Sequence, residues 1–223
     1  MILCDLPYGT TQCKWDTIIP YDTLWTQYKR ILKDNGTVAL FGSEPFSSYL
    51  RISNINQFKY DWMWKKPKGT GHLNAKKQPM NDYEIISIFQ KSSWYYPQFT
   101  EGTPYKNKAG KNHEGTESMT DCYGAYTNFR YDNEGKRYPK RIIEFPVVER
   151  GTVHPTQKPV EILEYLIKTY TKEDEIVLDN CMGSGSTGVA ALNLNRKFIG
   201  IELDATYCGI AKQRIQDIEA KYA

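Results

Sequence analysis

The chain has no apolar run approaching the roughly 20 residues needed to span a bilayer. No charged-then-apolar leader opens it. Both absences exclude an integral membrane protein and lead to the expectation of a cytoplasmic one with no membrane partner. There is no C-x-x-C pair either: Cys4, Cys13, Cys122, Cys181 and Cys208 are odd in number and scattered. Such cysteines read as reduced thiols, which excludes a disulfide framework and zinc ligation and leaves no metal expected. No internal repeat is present, and no Gly-Lys-Ser/Thr completes a Walker phosphate loop. What the chain does have is length enough for one generous domain, or one domain with an insertion, and many aromatics, with 17 Tyr and 5 Trp among 223 residues.

Net charge is only +3, but it is unevenly placed: Trp64 to Arg141 holds 14 Lys or Arg against 8 Asp or Glu, a local +6 against −3 elsewhere. A lysine-rich stretch is usually a solvated surface, and it points to a polyanion when a catalytic site lies nearby.

Ile2, Leu3 and Cys4 read as a buried strand that ends at Asp5-Leu6-Pro7-Tyr8. A carboxylate at a strand end, a backbone carbonyl beside it, a proline and an aromatic ring make a compact holder for a planar base. The Asp5 carboxylate and Leu6 carbonyl would take the two hydrogens of an exocyclic amine, localising its lone pair, while Tyr8 stacks on the ring. Alone, four residues with one free position also describe a plain strand and turn.

Gly9 to Pro20 lacks periodicity and reads as a loop, a candidate lid. Helical spacing of Leu24, Trp25, Tyr28, Ile31 and Leu32 predicts a helix from Tyr21, stopped at Asn35-Gly36. Thr37 to Phe41 reads as a strand. A short helix with Phe46, Tyr49, Leu50 and Ser53 on one face follows, and then a strand with Phe58, Tyr60, Trp62 and Trp64 alternating. Lys65 to Asn81 is expected to be a mobile basic loop, and Tyr83 to Phe89 a strand. Lys91 to Lys140 has five glycines, many tyrosines and no long periodic segment, and reads as an inserted subdomain with Tyr95, Tyr96, Tyr105, Tyr123, Tyr126 and Tyr131 as a small core. After a short strand at Ile142 to Phe145, a helix from Pro159, a strand at 176–179, a helix at 186–193, a strand at 198–202 and a final helix complete the chain. The fold class is therefore α/β, a Rossmann-like, mostly parallel sheet with helices on both faces and ligands at the carboxyl ends of the strands. The expected division is a catalytic half at 1–90, an inserted recognition region at 91–141 and a cofactor-binding half at 142–223.

The second motif, Asp179-Asn180-Cys181-Met182-Gly183-Ser184-Gly185-Ser186-Thr187-Gly188, follows a strand and opens a helix, with Glu202 closing the next strand. Glycines let a ligand approach the backbone, and the acidic residue can accept from ribose hydroxyls. The spacing also satisfies G-x-G-x-x-G, so a dinucleotide oxidoreductase is the competing reading. Against it, three residues separate Asp179 from the first glycine, and nothing nearby resembles a hydride-transfer site.

With these two motifs, and with His154-Pro155-Thr156-Gln157-Lys158-Pro159 between them, the chain resembles the amino-group (N6-adenine/N4-cytosine) DNA methyltransferases in their beta arrangement, over nearly its whole length. It departs from the family pattern where Leu6 replaces a proline and where Asn180-Cys181 replaces Pro-Phe. The resemblance implies S-adenosyl-L-methionine as cofactor, bound by Asp179, Gly183, Gly185 and Glu202, with Thr156 and Lys158 beside its methionine end. Lys158 stands at a helix start, where a cation opposes the helix dipole, and so calls for an anionic neighbour. Duplex DNA is the implied partner of a monomer or homodimer in a restriction-modification setting. The expected contacts are Lys65, Lys66, Lys68, Lys76 and Lys77 on phosphates, with Lys106, Lys108, Lys111, Arg130, Lys136, Arg137, Lys140 and Arg141 shared between phosphates and base edges. Asp in the first motif position favours adenine N6 over cytosine N4. An RNA or protein amide substrate is the related variant, and a DNA-binding protein without catalysis the alternative. Members with this order carry a segment ahead of the catalytic strand, and its absence here leads to the expectation of truncation or of an open adenine side.

Overall fold

The computed structural model describes residues 1–11, 13, 16–106, 117–120, 124–127, 132–148 and 157–222, the side chains of 117–120, 124–127, 132 and 222 excepted. In chain order the elements are β1 (Ile2–Asp5), α1 (Tyr21–Ile31), β2 (Thr37–Gly42), α2 (Phe46–Ser53), β3 (Phe58–Thr70), β4 (Asn81–Gln90), β5 (Thr100–Glu101), β6 (Tyr105–Lys106), β7 (Glu117–Thr120), β8 (Gly124–Thr127), β9 (Asp132–Asn133), β10 (Lys136–Arg137), β11 (Ile142–Glu144), α3 (Val160–Tyr170), β12 (Ile176–Asp179), α4 (Ser186–Asn193), β13 (Lys197–Gly200) and α5 (Ala205–Tyr222). They form two units, Met1–Tyr96 with Lys140–Ala223, and Pro97–Pro139.

The larger unit is built on a seven-stranded sheet of order β11-β3-β4-β2-β1-β12-β13. β4 is antiparallel to both its neighbours, and every other pairing is parallel. Alternation along each strand sends neighbouring side chains to opposite faces, and two cores result. Leu3, Ala39, Phe41, Ile86 and Ile88 pack under α3 and α4, against Ile162, Leu163, Leu166, Ile167, Ala190 and Ala191. Ile2, Cys4, Val38, Leu40 and Phe89 pack on the other face, against Leu24 and Tyr28 of α1 and Phe46 and Leu50 of α2. Each fully buried Leu, Ile or Phe contributes about 1.5–3 kcal/mol. This is the Rossmann-like α/β layout with helices on both faces. No helix of the described residues is long and apolar enough to cross a membrane.

Three local expectations are corrected. The basic stretch expected to be a loop from Lys65 is strand as far as Thr70, and Thr70 pairs with Asn81 across a bulge and a short 3₁₀ turn at His72–Asn74. A two-stranded ribbon solvated on both faces needs no apolar alternation, so the pattern gave no sign of it. On α2 the inward arc runs through Phe46, Ser47 and Leu50, while Tyr49 is 63% exposed. Gly42 leaves room for the inward Ser47, since a Cβ there would stand 2.4 Å from its hydroxyl. The tyrosines do not share one core. Tyr95 packs on Tyr170 and Tyr96 on Trp94 in the larger unit, whereas Tyr105 lies under the Arg137 guanidinium in the smaller one. Tyr123, Tyr131 and the Tyr126 side chain lie outside the described residues.

In the smaller unit, short strands pair in a nested antiparallel order: β5 with β10, β6 with β9 and β7 with β8. Phe99 and Tyr138, next to β5 and β10 in the sequence, pack with ring centroids 4.8 Å apart.

Candidate active site

β1 and β12 are parallel neighbours, and the chain leaves β1 for β2 on the other side. The strand order therefore reverses between β1 and β12, which is where an open α/β sheet forms its ligand crevice. Asp5 ends β1 and Asp179 ends β12. A cleft of about 1010 Å³ opens there, walled by Asp5, Leu6, Pro7 and Tyr8 from the first motif and by Asp179, Gly183, Ser184 and Glu202 from the second. Two motifs at opposite ends of the sequence share one cavity.

Asp5 is held by two donors. The Tyr8 hydroxyl donates to Oδ1 at 2.5 Å and the Lys158 ammonium to Oδ2 at 2.5 Å. Lys158 also stands 3.3 Å from Glu84 Oε2, an ion-pair distance without hydrogen-bond alignment, and Glu84 Oε1 accepts from Lys66 Nζ at 2.5 Å. The lysine that calls for an anionic neighbour thus has two, both from the protein. Burial opposes its charge, but Asp5 and Glu84 outweigh burial and hold the ammonium above the ordinary lysine range. Burial likewise works against the Glu84 charge, yet Lys158 and Lys66 keep that carboxyl below its usual range. Burial, followed by the negative charges of Asp5 and Glu84, pushes the Tyr8 hydroxyl well up, so it remains a donor. The Tyr8 ring packs on Phe46 at 4.9 Å.

The loop after Tyr8 is tied to Asp16, which accepts from the backbone N–H groups of Gly9, Thr10 and Thr11 at 2.8, 2.9 and 2.7 Å. Burial would raise the Asp16 carboxyl, but these bonds more than offset it and hold it low. The candidate lid is therefore pinned at its base.

On the other side of the cleft, Asp179 Oδ2 accepts from the Thr187 hydroxyl at 2.6 Å and Oδ1 from the Cys181 N–H at 3.1 Å. Glu202 grips the loop itself, accepting from Gly183 N–H at 2.8 Å and Asp204 N–H at 2.9 Å. Gly185 has φ +78°, and a Cβ there would lie 2.8 Å from Ala211 Cβ, so only glycine lets α5 close over the loop. Arg214 of α5 donates to the Ser184 carbonyl at 2.6 Å, and the Tyr28 hydroxyl donates to Asn180 at 2.5 Å. Gln157 Oε1 accepts from Ser184 at 3.5 Å, bringing the segment before α3 to the same loop. Thr156 lies outside the described residues.

The arrangement is that of a nucleotide-type cofactor loop facing a carboxylate-aromatic turn. The model of a DNA methylase family with N6 and N4 members matches residues 1–213. The chain belongs to that family. Among its relatives, the type II methyltransferase M.HinfI of Haemophilus influenzae is 28% identical over 92% of this chain and 54% of its own length. The DNA adenine methyltransferase YhdJ of Escherichia coli (strain K12) is 26% identical over 87% of this chain and 65% of its own length. The chain thus spans little more than half of one of these relatives and just under two thirds of the other. Among solved structures, the complex of M1.HpyAVI with SAM superposes with a TM-score of 0.60, at 26% identity, over 96% of this chain and 87% of that one. With the methylase family shown, the dinucleotide oxidoreductase reading falls away.

The structure sorts the chain's basic candidates. Lys65, Lys68, Lys76 and Lys77 are exposed on the β3–β4 ribbon, and Lys65 also reaches Glu144 at 3.0 Å. Lys66 is turned into the cleft against Glu84, with its side chain 16% exposed. Arg137 bonds to Asn133 and the Thr103 carbonyl and caps the Tyr105 ring, so it braces the smaller unit. Arg141 lies over the Tyr60 ring at 5.5 Å, and Lys106, Lys136 and Lys140 are exposed. Arg130, Lys108 and Lys111 lie outside the described residues. Among the described residues, no group of three or more His, Cys, Asp or Glu is placed to hold a metal ion.

Sequence reasoning missed Glu84, Asp16 and Thr187. Glu84 had one signal: a carboxylate directly before Ile85-Ile86 in a strand whose interior is buried. Thr187 stood inside the second motif with no role of its own assigned, and Asp16 had no signal, since it acts by reaching backbone N–H groups that only folding brings near.

Proposed function

We propose that this chain transfers the methyl group of S-adenosyl-L-methionine to the exocyclic amine of a base turned out of duplex DNA, adenine N6 before cytosine N4. One observation carries the proposal: the Asp5-Leu6-Pro7-Tyr8 turn and the Asp179–Ser184 loop with Glu202 open on one cleft. The residues present fit the cofactor. The cleft volume suits a nucleoside-sized ligand, its wall includes Met182, Leu203 and Tyr207 beside the Glu202 carboxylate, and Gly183 in the same wall lets a ligand reach the backbone. Asp179, Gly183, Gly185 and Glu202 are the residues that would hold it. When bound, S-adenosyl-L-methionine supplies a methyl group on a positively charged sulfur.

The chain's own residues prepare the nucleophile. Asp5 and the Leu6 carbonyl accept the amine hydrogens and localise its lone pair, while Tyr8 offers its ring to the base. Turning a base out costs a few kcal/mol, and stacking on an aromatic ring returns about 1–3 kcal/mol. A hydrogen bond to a charged acceptor adds about 1.5–3 kcal/mol. Alignment of amine and donor contributes more, about 7–11 kcal/mol. Residues 1–90 form the catalytic half, 142–223 the cofactor half, and the insertion within 91–141 the target-recognition region. Support for adenine comes from Asp5 in the first motif position and from the adenine methyltransferase among the relatives. The proposal is tested with Asp5→Ala, which should abolish methyl transfer to DNA while cofactor binding by calorimetry stays within a few-fold of wild type. Near-normal turnover by that variant would sink it.

A further inference from the structure

The segment before α3 contributes a buried cation to the catalytic turn, and its partners are carboxylates from two different strands. Asp5 ends β1, Glu84 lies near the start of β4, and both reach within 3.3 Å of the same Lys158 nitrogen. The Lys158 and Glu84 side chains are only 10% and 15% exposed, so neither charge is held by water. From the Phe41 ring, 5.2 Å away, the ammonium has a further constraint.

We infer that Lys158 and Glu84 are positioning residues for methyl transfer, acting through Asp5 to hold its carboxylate in one orientation. This rests on the reading of Asp5 as the amine acceptor. An ionised carboxylate accepts an amine hydrogen, whereas a protonated one presents an O–H to another donor. Two carboxylates facing one point repel each other, and a cation between them removes that repulsion. Lys158 is that cation. It engages Oδ2 while Tyr8 engages Oδ1, which fixes the carboxylate plane, and each oxygen keeps a second lone pair for the amine. Glu84 is the counterweight: it holds the ammonium on its other side and in turn takes Lys66. The charged or titratable groups around Asp5 are Tyr8 on its own turn, Cys4 on β1, Lys158 before α3, Glu84 on β4, Lys66 on β3 and Asp179 on β12. Lys158 is the cation in direct contact with Asp5, and the charge of Lys66 is engaged by Glu84.

The experiment compares wild type, Lys158→Met, Glu84→Gln and the double variant for kcat on DNA across pH and for binding of S-adenosyl-L-methionine by calorimetry. Lys158→Met should lower kcat at pH 7 about 10- to 100-fold, the factor carried by a charged hydrogen bond. The acid limb of its profile should rise by about 1–3 pH units, and Kd for the cofactor should change less than about threefold. The double variant should bring the acid limb back towards wild type without restoring the lysine, because the opposing carboxylate is gone. A merely structural lysine would not show that reversal. Glu84→Gln alone, which keeps the cation, should move the limb to lower pH, and it serves if Lys158→Met does not fold. The inference is overturned if Lys158→Met weakens cofactor binding tenfold or more with its acid limb unmoved, or if the double variant tracks the single one. A wild-type protein that transfers no methyl group would overturn the underlying reading as well, and that result is distinct from active wild type with unshifted variants.

Discussion

Replacing Asp179 by Asn tests the electrostatics of the cofactor side of the cleft. Asp179 is 4% exposed, and burial pushes its carboxyl up to about 6, with the Thr187 hydroxyl and the Cys181 N–H pulling the other way. The native protein therefore binds a proton between about pH 4 and pH 6 that the unfolded chain, with a carboxyl near 3.8, does not. This group's contribution is most favourable at low pH and is lost as pH rises through about 6. About two pH units at 1.36 kcal/mol each gives a loss of about 2–3 kcal/mol. Asparagine carries no such charge, and the Thr187 hydroxyl can still donate to its amide oxygen, a contribution that does not vary with pH. Urea denaturation of wild type and Asp179→Asn at matched pH, from about 4.5 to 7.5, gives the difference directly. That difference should move by about 2 kcal/mol in favour of the variant as pH rises across this range. A difference that stays flat within error would refute a buried, charge-averse Asp179.

Two further outcomes follow from the geometry. Gly185→Ala puts an L side chain at φ +78° against Ala211 of α5. The left-handed backbone costs about 1–2 kcal/mol and the overlap about 1–3 kcal/mol, so thermal unfolding should shift down by several degrees with weaker cofactor binding, and an unchanged midpoint would contradict the packing described. On the β3–β4 ribbon, Lys76→Ala with Lys77→Ala should make the slope of log K against log salt shallower by about 2, since each phosphate contact contributes about 0.9. An unaltered slope would remove this ribbon from the DNA interface.

The two motifs were legible in the sequence because each packs its chemistry into ten residues or fewer around a strand end. The alternation of helical and strand periods then placed both strand ends on one side of a sheet. The partners of those motifs were not legible. Lys158 reads in isolation as a cation awaiting a ligand's anion, and its true neighbours lie on β1 and β4, 153 positions away in the case of Asp5. Glu84 reads as one more polar residue of a strand until it is seen opposite the buried Trp64 and beside Lys158. Tyr49 looks like a core residue by spacing, yet the buried arc of α2 runs through Phe46, Ser47 and Leu50. For Lys158 and Glu84 the deciding term is a contact between distant segments, which no local period encodes.

The most direct measurement incubates the wild-type protein with isotopically labelled S-adenosyl-L-methionine and plasmid DNA, then identifies labelled nucleosides by mass spectrometry. The account predicts N6-methyladenine bearing the label, and none when Asp5 is alanine. Label on no nucleoside, or transfer that persists undiminished without the Asp5 carboxylate, would contradict it.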